Sequence, residues 1–131
     1  MLVFLVRHAH AESGEPDEGR ELDERGRGEA RAVADRLASH ETPPTLVLTS
    51  PLLRARQTAA AIAATAGVEL RPDERLAPGA TAEDVRSVVA GEEGPVALVG
   101  HQPDCSEIAH ELTGSDPGFP TGGSFELDLD A

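Results

Sequence analysis

The feature that most constrains the fold is the apolar segment Leu2–Val6, which ends abruptly at Arg7 and His8. Consecutive apolar residues rich in β-branched and aromatic side chains predict a strand that is buried on both faces. Such strands belong to parallel sheets covered by helices, where ligands bind beyond the carboxyl ends of the strands. Arginine offers a permanent forked cation, and histidine offers a nitrogen that is neutral near pH 7. The segment therefore predicts a ligand site directly after the first strand.

The remaining chain alternates predicted helices and strands. Further strands are predicted at 46–49, 68–70, 95–99 and 124–130, and helices at 23–39, 51–66, 81–90 and 103–112. This order predicts an α/β fold with three layers, α/β/α, in which a mostly parallel central sheet has helices on both faces. Ser50 and Pro51 are predicted to cap the second helix. The alternating pattern of the last strand predicts an edge position, and the length favours a single domain over 1–131.

Composition excludes several classes of function. The net charge is −13, and all 11 basic residues are arginines, so the chain lacks the cationic surface that nucleic acid requires. No segment approaches the roughly 20 apolar residues of a membrane span, and the apolar start is too short for a signal peptide. The single cysteine, Cys105, cannot form an intrachain disulfide, which indicates a reducing compartment. We therefore expect a cytoplasmic protein with neither nucleic acid nor membrane as a partner.

A second apolar segment ends in the same way, at Gly100 and His101. If its strand neighbours the first, His8 and His101 face one site. Arg54 lies one turn into the helix after the second strand, and Arg7 lies beside His8. Two guanidinium groups and a helix N-terminus form a pocket suited to phosphate. The alternative, that both arginines only form ion pairs with some of the 24 carboxylates, remains open from spacing alone.

Four segments resemble, in order, those of the histidine phosphatase superfamily, whose fold is phosphoglycerate mutase-like. They are LVRHAHA at 5–11, LDERGRGEA at 22–30, SPLLRARQTA at 50–59 and VGHQP at 99–103. The first resembles the Arg-His-Gly signature, although Ala9 replaces the glycine, which requires a negative φ at that residue. The short length and the segment 76–79 are most similar to the phosphohistidine phosphatases of the SixA type.

This resemblance implies that His8 attacks phosphorus and forms a phosphohistidine intermediate. Arg7, Arg54 and His101 would then be both catalytic and phosphate-binding, because they hold the phosphate oxygens. The arginines are expected to lower the pKa of His8, and a backbone carbonyl is expected to fix its tautomer. The resemblance implies neither a metal nor an organic cofactor. The implied substrate is a phosphorylated protein, such as a phosphohistidine domain; a small phosphorylated metabolite is the alternative.

The chain differs from the larger members of the superfamily at the position of the general acid. They carry a glutamate at the position that corresponds here to Pro78, so Asp17 and Glu74 become the candidate proton donors. Imidazole is a better leaving group than an alkoxide, so the lack of a strong general acid favours phosphoramidate substrates over sugar phosphates. His10 receives no role.

Two other classes of function remain open. His8, His10, His101 and Asp104 could ligate a divalent ion in a metal-dependent hydrolase, although Arg7 would repel a cation. An inactive module that only binds phosphate is the second.

Overall fold

The structure, a computed structural model, describes residues 1–129 and confirms the predicted α/β architecture. Its elements are β1 (Leu2–Arg7), α1 (Glu24–Ala38), β2 (Leu46–Thr49), α2 (Leu53–Ala66), β3 (Glu69–Pro72), α3 (Ala82–Val89), β4 (Val96–Gly100), α4 (Asp104–Thr113) and β5 (Ser124–Asp128). Two single 3-10 turns occupy Asp17–Gly19 and Glu74–Leu76. Within residues 1–129, no helix is long and apolar enough to cross a membrane.

The sheet has the strand order β3-β2-β4-β1-β5. Strands β1 to β4 run parallel, and β5 pairs antiparallel with β1 at the edge, as its alternating sequence predicts. Strands β1 and β4 are neighbours, with Arg7 opposite Gly100. Because both strands end at the same edge, the residues that follow them, His8 and His101, leave the sheet side by side.

The core consists of two apolar layers, one on each face of the sheet. Successive residues of β1 point to opposite faces, so that Val3 and Leu5 join one layer while Phe4 and Val6 join the other. The first layer packs α3 and α4 through Val85, Val88, Cys105, Ile108 and Ala109, and the second packs α1 and α2 through Val33, Leu37, Ala55, Ala59 and Ile62. Alanines in α2 allow that helix to approach both the sheet and α1 closely.

Several predicted boundaries shift in the structure, each by one or two residues. The predicted cap at Ser50 is wrong, because α2 begins at Leu53 and its N-cap is Leu52. Helix α4 begins at Asp104, one residue after its predicted start. Strand β3 lies one or two residues later than predicted, since its register follows its pairing with β2. Strand β5 ends at Asp128, and residue 130 of the predicted strand lies outside the described residues.

The first turn of α1 packs directly against the segment that follows β1. The Asp23 carboxylate caps the helix by accepting from the Gly26 N–H at 2.8 Å, and it also bonds Nδ1 of His10. A Cβ atom at Gly26 would overlap the carbonyl oxygen of His10. Glycine at position 26 therefore lowers the helix propensity of α1, but it permits the close contact with His10 that fixes the residues after the first strand.

Candidate active site

The structure brings His8 and His101 together. Their ring centroids lie 5.1 Å apart, and the backbone N–H of His8 donates to the carbonyl of Gly100 at 3.0 Å. His101 is almost fully buried, whereas His8 is partly exposed. The condition under which the two histidines face one site, that their strands are neighbours, is therefore met.

The tautomer of His8 is fixed by the chain itself. Nδ1 lies 2.7 Å from the carbonyl oxygen of Ala9. Since a carbonyl only accepts, Nδ1 carries the proton and Nε2 keeps its lone pair. Ala9 has a negative φ, as its place in the signature requires, and its N–H donates to the buried Thr58 hydroxyl at 3.0 Å. This contact anchors the backbone beside His8 to α2.

The pKa of His8 is lowered to about 4. Burial of the ring is the largest cause, the hydrogen bond to Ala9 opposes it, and the charges of Arg54 and Arg7 lower the pKa further. The predicted direction is correct, but the arginines are secondary to burial. A neutral imidazole with a free Nε2 lone pair is a nucleophile at neutral pH.

Arg7 is held by the loop that precedes β5. Its Nη1 donates to the carbonyl of Phe119 at 2.9 Å, and its backbone N–H donates to the carbonyl of Gly123 at 2.9 Å. Within residues 1–129, the side chain of Arg7 has no carboxylate partner, and its buried Nε has no hydrogen-bond partner. Ordinary ion pairing therefore does not explain why Arg7 lies here.

Arg54 is buried and held by the segment between β1 and α1. Its Nη1 donates to the backbone carbonyl of Asp17 at 2.9 Å, and its Nη2 lies 3.3 Å from the Asp17 carboxylate. Its Nε is buried and has no partner in the described chain. Ion pairing with Asp17 thus explains one contact of the Arg54 guanidinium, but it does not explain why Nε is buried without a partner.

Asp17 and Glu74, the two candidate proton donors, lie in different surroundings. A hydrogen bond from Arg20, followed by the charge of Arg54, lowers the pKa of Asp17 below its usual range. Asp17 is therefore ionised at neutral pH. Glu74 is exposed, and within residues 1–129 its side chain makes no hydrogen bond or ion pair with the other candidate residues.

Sequence reasoning missed the role of Ser50 at this site. The Ser50 hydroxyl is fully buried and lies 2.7 Å from Nε2 of His101. A usable signal was present, because Ser50 directly follows β2 as His101 follows β4, and parallel strands end at the same edge. The pKa of His101 is lowered to about 3 by burial, with further contributions from His8 and Arg54.

Three atoms of this site share an unusual property. They are the only buried side-chain nitrogen or oxygen atoms in residues 1–129 without a hydrogen-bond partner: Arg7 Nε, Arg54 Nε and His101 Nδ1. Buried polar atoms in native proteins are nearly always paired. All three belong to the residues that the sequence predicts to bind phosphate. Arg7 is anchored through Nη1, and Arg54 is anchored through Nη1 and Nη2. The arrangement offers hydrogen-bond donors and fixed positive charge to an anion beside His8.

The residues of the metal-site alternative do not form a cluster. His10 is hydrogen-bonded to Asp23, and Asp104 accepts from the Gly79 N–H at 2.8 Å. In residues 1–129, no three His, Cys, Asp or Glu side chains come together as a metal-ligand group. The set of His8, His10, His101 and Asp104 is therefore not assembled.

Comparison with known proteins identifies chains and a family model that are similar to this protein. A family model of the histidine phosphatase superfamily (branch 1) matches residues 3–78. An uncharacterized protein of Picosynechococcus sp. is 37% identical over 127 residues, a match that covers 86% of this chain and 73% of that protein.

Solved structures resemble the chain over nearly its full length. The SixA protein of Agrobacterium tumefaciens, assigned as a phosphohistidine phosphatase, is 34% identical with a TM-score of 0.84, covering 97% of this chain and 90% of that one. A protein histidine phosphatase SixA complexed with tungstate is 27% identical with a TM-score of 0.88, covering 99% and 89%. A mycobacterial glucosyl-3-phosphoglycerate phosphatase shares the fold at 22% identity, with a TM-score of 0.74 and coverage of 97% and 90%.

Proposed function

Because the chain belongs to the histidine phosphatase superfamily, we propose that it is a phosphohistidine phosphatase that works through a covalent phosphohistidine on His8. The observation that carries this proposal is the set of three buried, unpartnered nitrogens on Arg7, Arg54 and His101, beside a histidine whose Nε2 is free. A phosphoryl group is the ligand that uses all of these atoms at once.

The proposed reaction has two displacements at phosphorus. In the first, the Nε2 lone pair of His8 forms a bond to phosphorus while the bond to the leaving atom breaks, and the leaving atom keeps the electron pair. In the second, a water oxygen attacks phosphorus, the phosphorus–Nε2 bond breaks, and its electron pair returns to His8. Inorganic phosphate is released together with the proton lost by water. His8 is neutral at both ends of the cycle, which its lowered pKa favours.

The other three side chains stabilise charge on the phosphoryl oxygens. Arg7 and Arg54 supply two fixed cations, and His101 supplies a hydrogen bond from Nδ1. Preorganised donors of this kind stabilise a transition state without reorganising during the reaction. Because the arginines provide the positive charge, we propose that the reaction needs no metal ion. Full activity after dialysis against EDTA is expected, and activity that returns only on adding Mg²⁺ or Zn²⁺ would exclude this.

The choice of phosphohistidine as the substrate rests on the leaving group. Asp17 is ionised and engaged with Arg54, so we assign it to hold that arginine rather than to donate a proton. A phosphohistidine whose second ring nitrogen is protonated leaves as neutral imidazole and needs no acid from the enzyme. An alkoxide leaving group, in contrast, needs a proton from a general acid of the enzyme. The similarity to SixA proteins supports the same substrate class.

A substrate panel tests this assignment. A phosphohistidine-containing protein domain and several small phosphomonoesters, including a sugar phosphate, are compared at matched concentrations. We expect the highest kcat/KM for the phosphohistidine protein and no turnover by His8→Ala in any arm. A small ester preferred at equal concentration would replace the proposed substrate. Phosphate binding without turnover in every arm would favour an inactive binding module.

A further inference from the structure

We infer that Ser50 is a positioning residue that holds His101 in the tautomer with its proton on Nδ1, so that His101 can donate to the phosphoryl group. The inference rests on the proposed function for its purpose, but the tautomer itself is a property of the unliganded protein. The resemblance implies that His101 binds phosphate, whereas the sequence pattern does not link Ser50 to His101.

Ser50 is fixed in place by its backbone as well as by its neighbours. Its N–H donates to the carbonyl of Val99 at 2.9 Å, which joins the end of β2 to the end of β4. Its side chain is fully buried, so that water does not compete for the hydroxyl. The hydroxyl therefore has to satisfy its hydrogen bonds within the protein.

Hydrogen-bond accounting then determines the direction of the contact with His101. The Ser50 oxygen accepts from the N–H of Leu52 at 3.2 Å. The hydroxyl hydrogen has one acceptor within residues 1–129, namely Nε2 of His101 at 2.7 Å. If the hydroxyl donates, Nε2 supplies the lone pair and the ring proton sits on Nδ1.

The opposite arrangement leaves two buried groups unsatisfied. With the proton on Nε2, the imidazole would donate to Ser50, and the hydroxyl hydrogen would have no acceptor in the described chain. Nδ1 would present a lone pair where the phosphoryl oxygens are expected, and lone pairs on both sides repel. Protonation of both nitrogens is not available at neutral pH, because the pKa of His101 is about 3. Only the Nδ1–H tautomer satisfies Ser50 and also provides a donor.

The two neighbouring histidines then have different roles although both carry the proton on Nδ1, because an acceptor fixes the tautomer of His8 and a donor fixes that of His101. His8 carries its proton on Nδ1 because the carbonyl of Ala9 accepts it, which frees Nε2 as the nucleophile. His101 carries its proton on Nδ1 because Ser50 occupies Nε2, which frees Nδ1–H as the donor. The same protonated nitrogen thus faces the backbone in one ring and remains unpaired in the other.

Nitrogen-15 NMR of the histidine rings tests the inference without substrate. In the wild-type protein at pH 7, we expect the His101 proton on Nδ1. In Ser50→Ala, the protonated position should move to Nε2 or to a mixture of both. Thr49→Val is the matched control, since it removes a neighbouring buried hydroxyl that does not contact His101, and its tautomer should stay unchanged. Backbone amide spectra verify that each variant is folded.

Turnover provides the second measurement. Ser50→Ala should lower kcat about tenfold to a hundredfold, and Ser50→Thr, which keeps the hydroxyl, should recover most of the loss and the Nδ1–H tautomer. A wild-type His101 protonated on Nε2, or a tautomer that does not change in Ser50→Ala, would overturn the inference whatever the activity. A wild-type protein with the expected tautomer but no phosphatase activity would instead refute the proposed function alone.

Discussion

At the scale of single residues, two histidines in one short segment have different surroundings. His8 bonds the carbonyl of Ala9 and lies beside His101, whereas His10 bonds the capping carboxylate of Asp23. The sequence His8-Ala9-His10 alone does not distinguish them, because residues two apart in an extended segment face the same side. The distinction arises from the packing of α1 against the segment.

His8→Ala should abolish turnover, with a loss of roughly three orders of magnitude or more, because it removes the nucleophile. His10→Ala should retain most of the turnover and lose some thermal stability, since it removes a contact to the N-cap of α1. Steady-state kinetics of the two purified variants measure this. An active His8→Ala together with an inactive His10→Ala would contradict the assignment.

Arg7→Lys keeps the positive charge but removes Nε and the forked geometry. Because Arg7 is anchored through Nη1 to Phe119, a lysine cannot both keep that bond and reach the phosphoryl group. We expect kcat/KM to fall by about 10² to 10³. Arg86→Lys, an exposed position on α3, is the control and should behave as the wild type. Equal kinetics for both variants would exclude a specific role for the Arg7 guanidinium.

Much of the site could be predicted at this scale, because strand ends carry Arg7, His8 and His101 in a recognisable pattern. For Ser50 the signal, its position directly after β2, was ambiguous. A serine followed by proline is also typical of a helix start, and only the pairing of β2 with β4 shows that the hydroxyl meets His101. The pKa of His8 likewise depends on burial, which local sequence does not reveal.

At the scale of elements, α1 illustrates a conflict between local propensity and packing. Gly26 and Gly28 in its first turns weaken the helix, and helix propensity alone assigns the same cost to both. The structure separates them. A Cβ at Gly26 would overlap the His10 carbonyl, whereas at Gly28 its nearest neighbour is the flexible end of Arg31 at 3.8 Å.

Gly26→Ala should destabilise the protein by about 2 kcal/mol or more, because either α1 or the segment after β1 must move. Gly28→Ala should instead stabilise it by up to about 1 kcal/mol, since alanine is the better helix former and no close contact results. Urea unfolding of both variants gives the two free energies. Equal effects of the two substitutions would mean that α1 does not pack on His10 as described.

At the scale of the whole molecule, the strand order determines which residues meet. The neighbours β2, β4 and β1 bring the residues after three separate strands to one edge, and α2 adds Arg54. The fold class could be predicted from the alternation of apolar strands and helices. The register, the late start of α2 and the loop that holds Arg7 could not, because they depend on contacts between distant segments such as Phe119 and Arg7.

Two histidines that stay neutral in the folded protein, the partly exposed His8 and the buried His101, make stability depend on pH. His8 and His101 have pKa values of about 4 and about 3 in the folded protein, below the ordinary value of 6.5. Between about pH 6.5 and pH 4 the unfolded chain binds protons that the folded chain does not, so the free energy of unfolding decreases as the pH falls through this window. His101→Asn removes one of these groups. The free energy of unfolding of this variant should therefore decrease less than that of the wild type between about pH 7 and pH 5. Equal losses in urea unfolding would contradict the buried neutral state of His101.

The proposed mechanism requires that turnover passes through a phosphoryl group on His8. Its most direct test is to mix the enzyme with a substrate carrying ³²P, quench within milliseconds in alkali, and locate the label by peptide analysis. We expect a label on the peptide that contains His8, stable to alkali and lost in acid, and absent from His8→Ala. Turnover without label on the enzyme, or an equal amount of label on His8→Ala, would contradict the phosphohistidine mechanism.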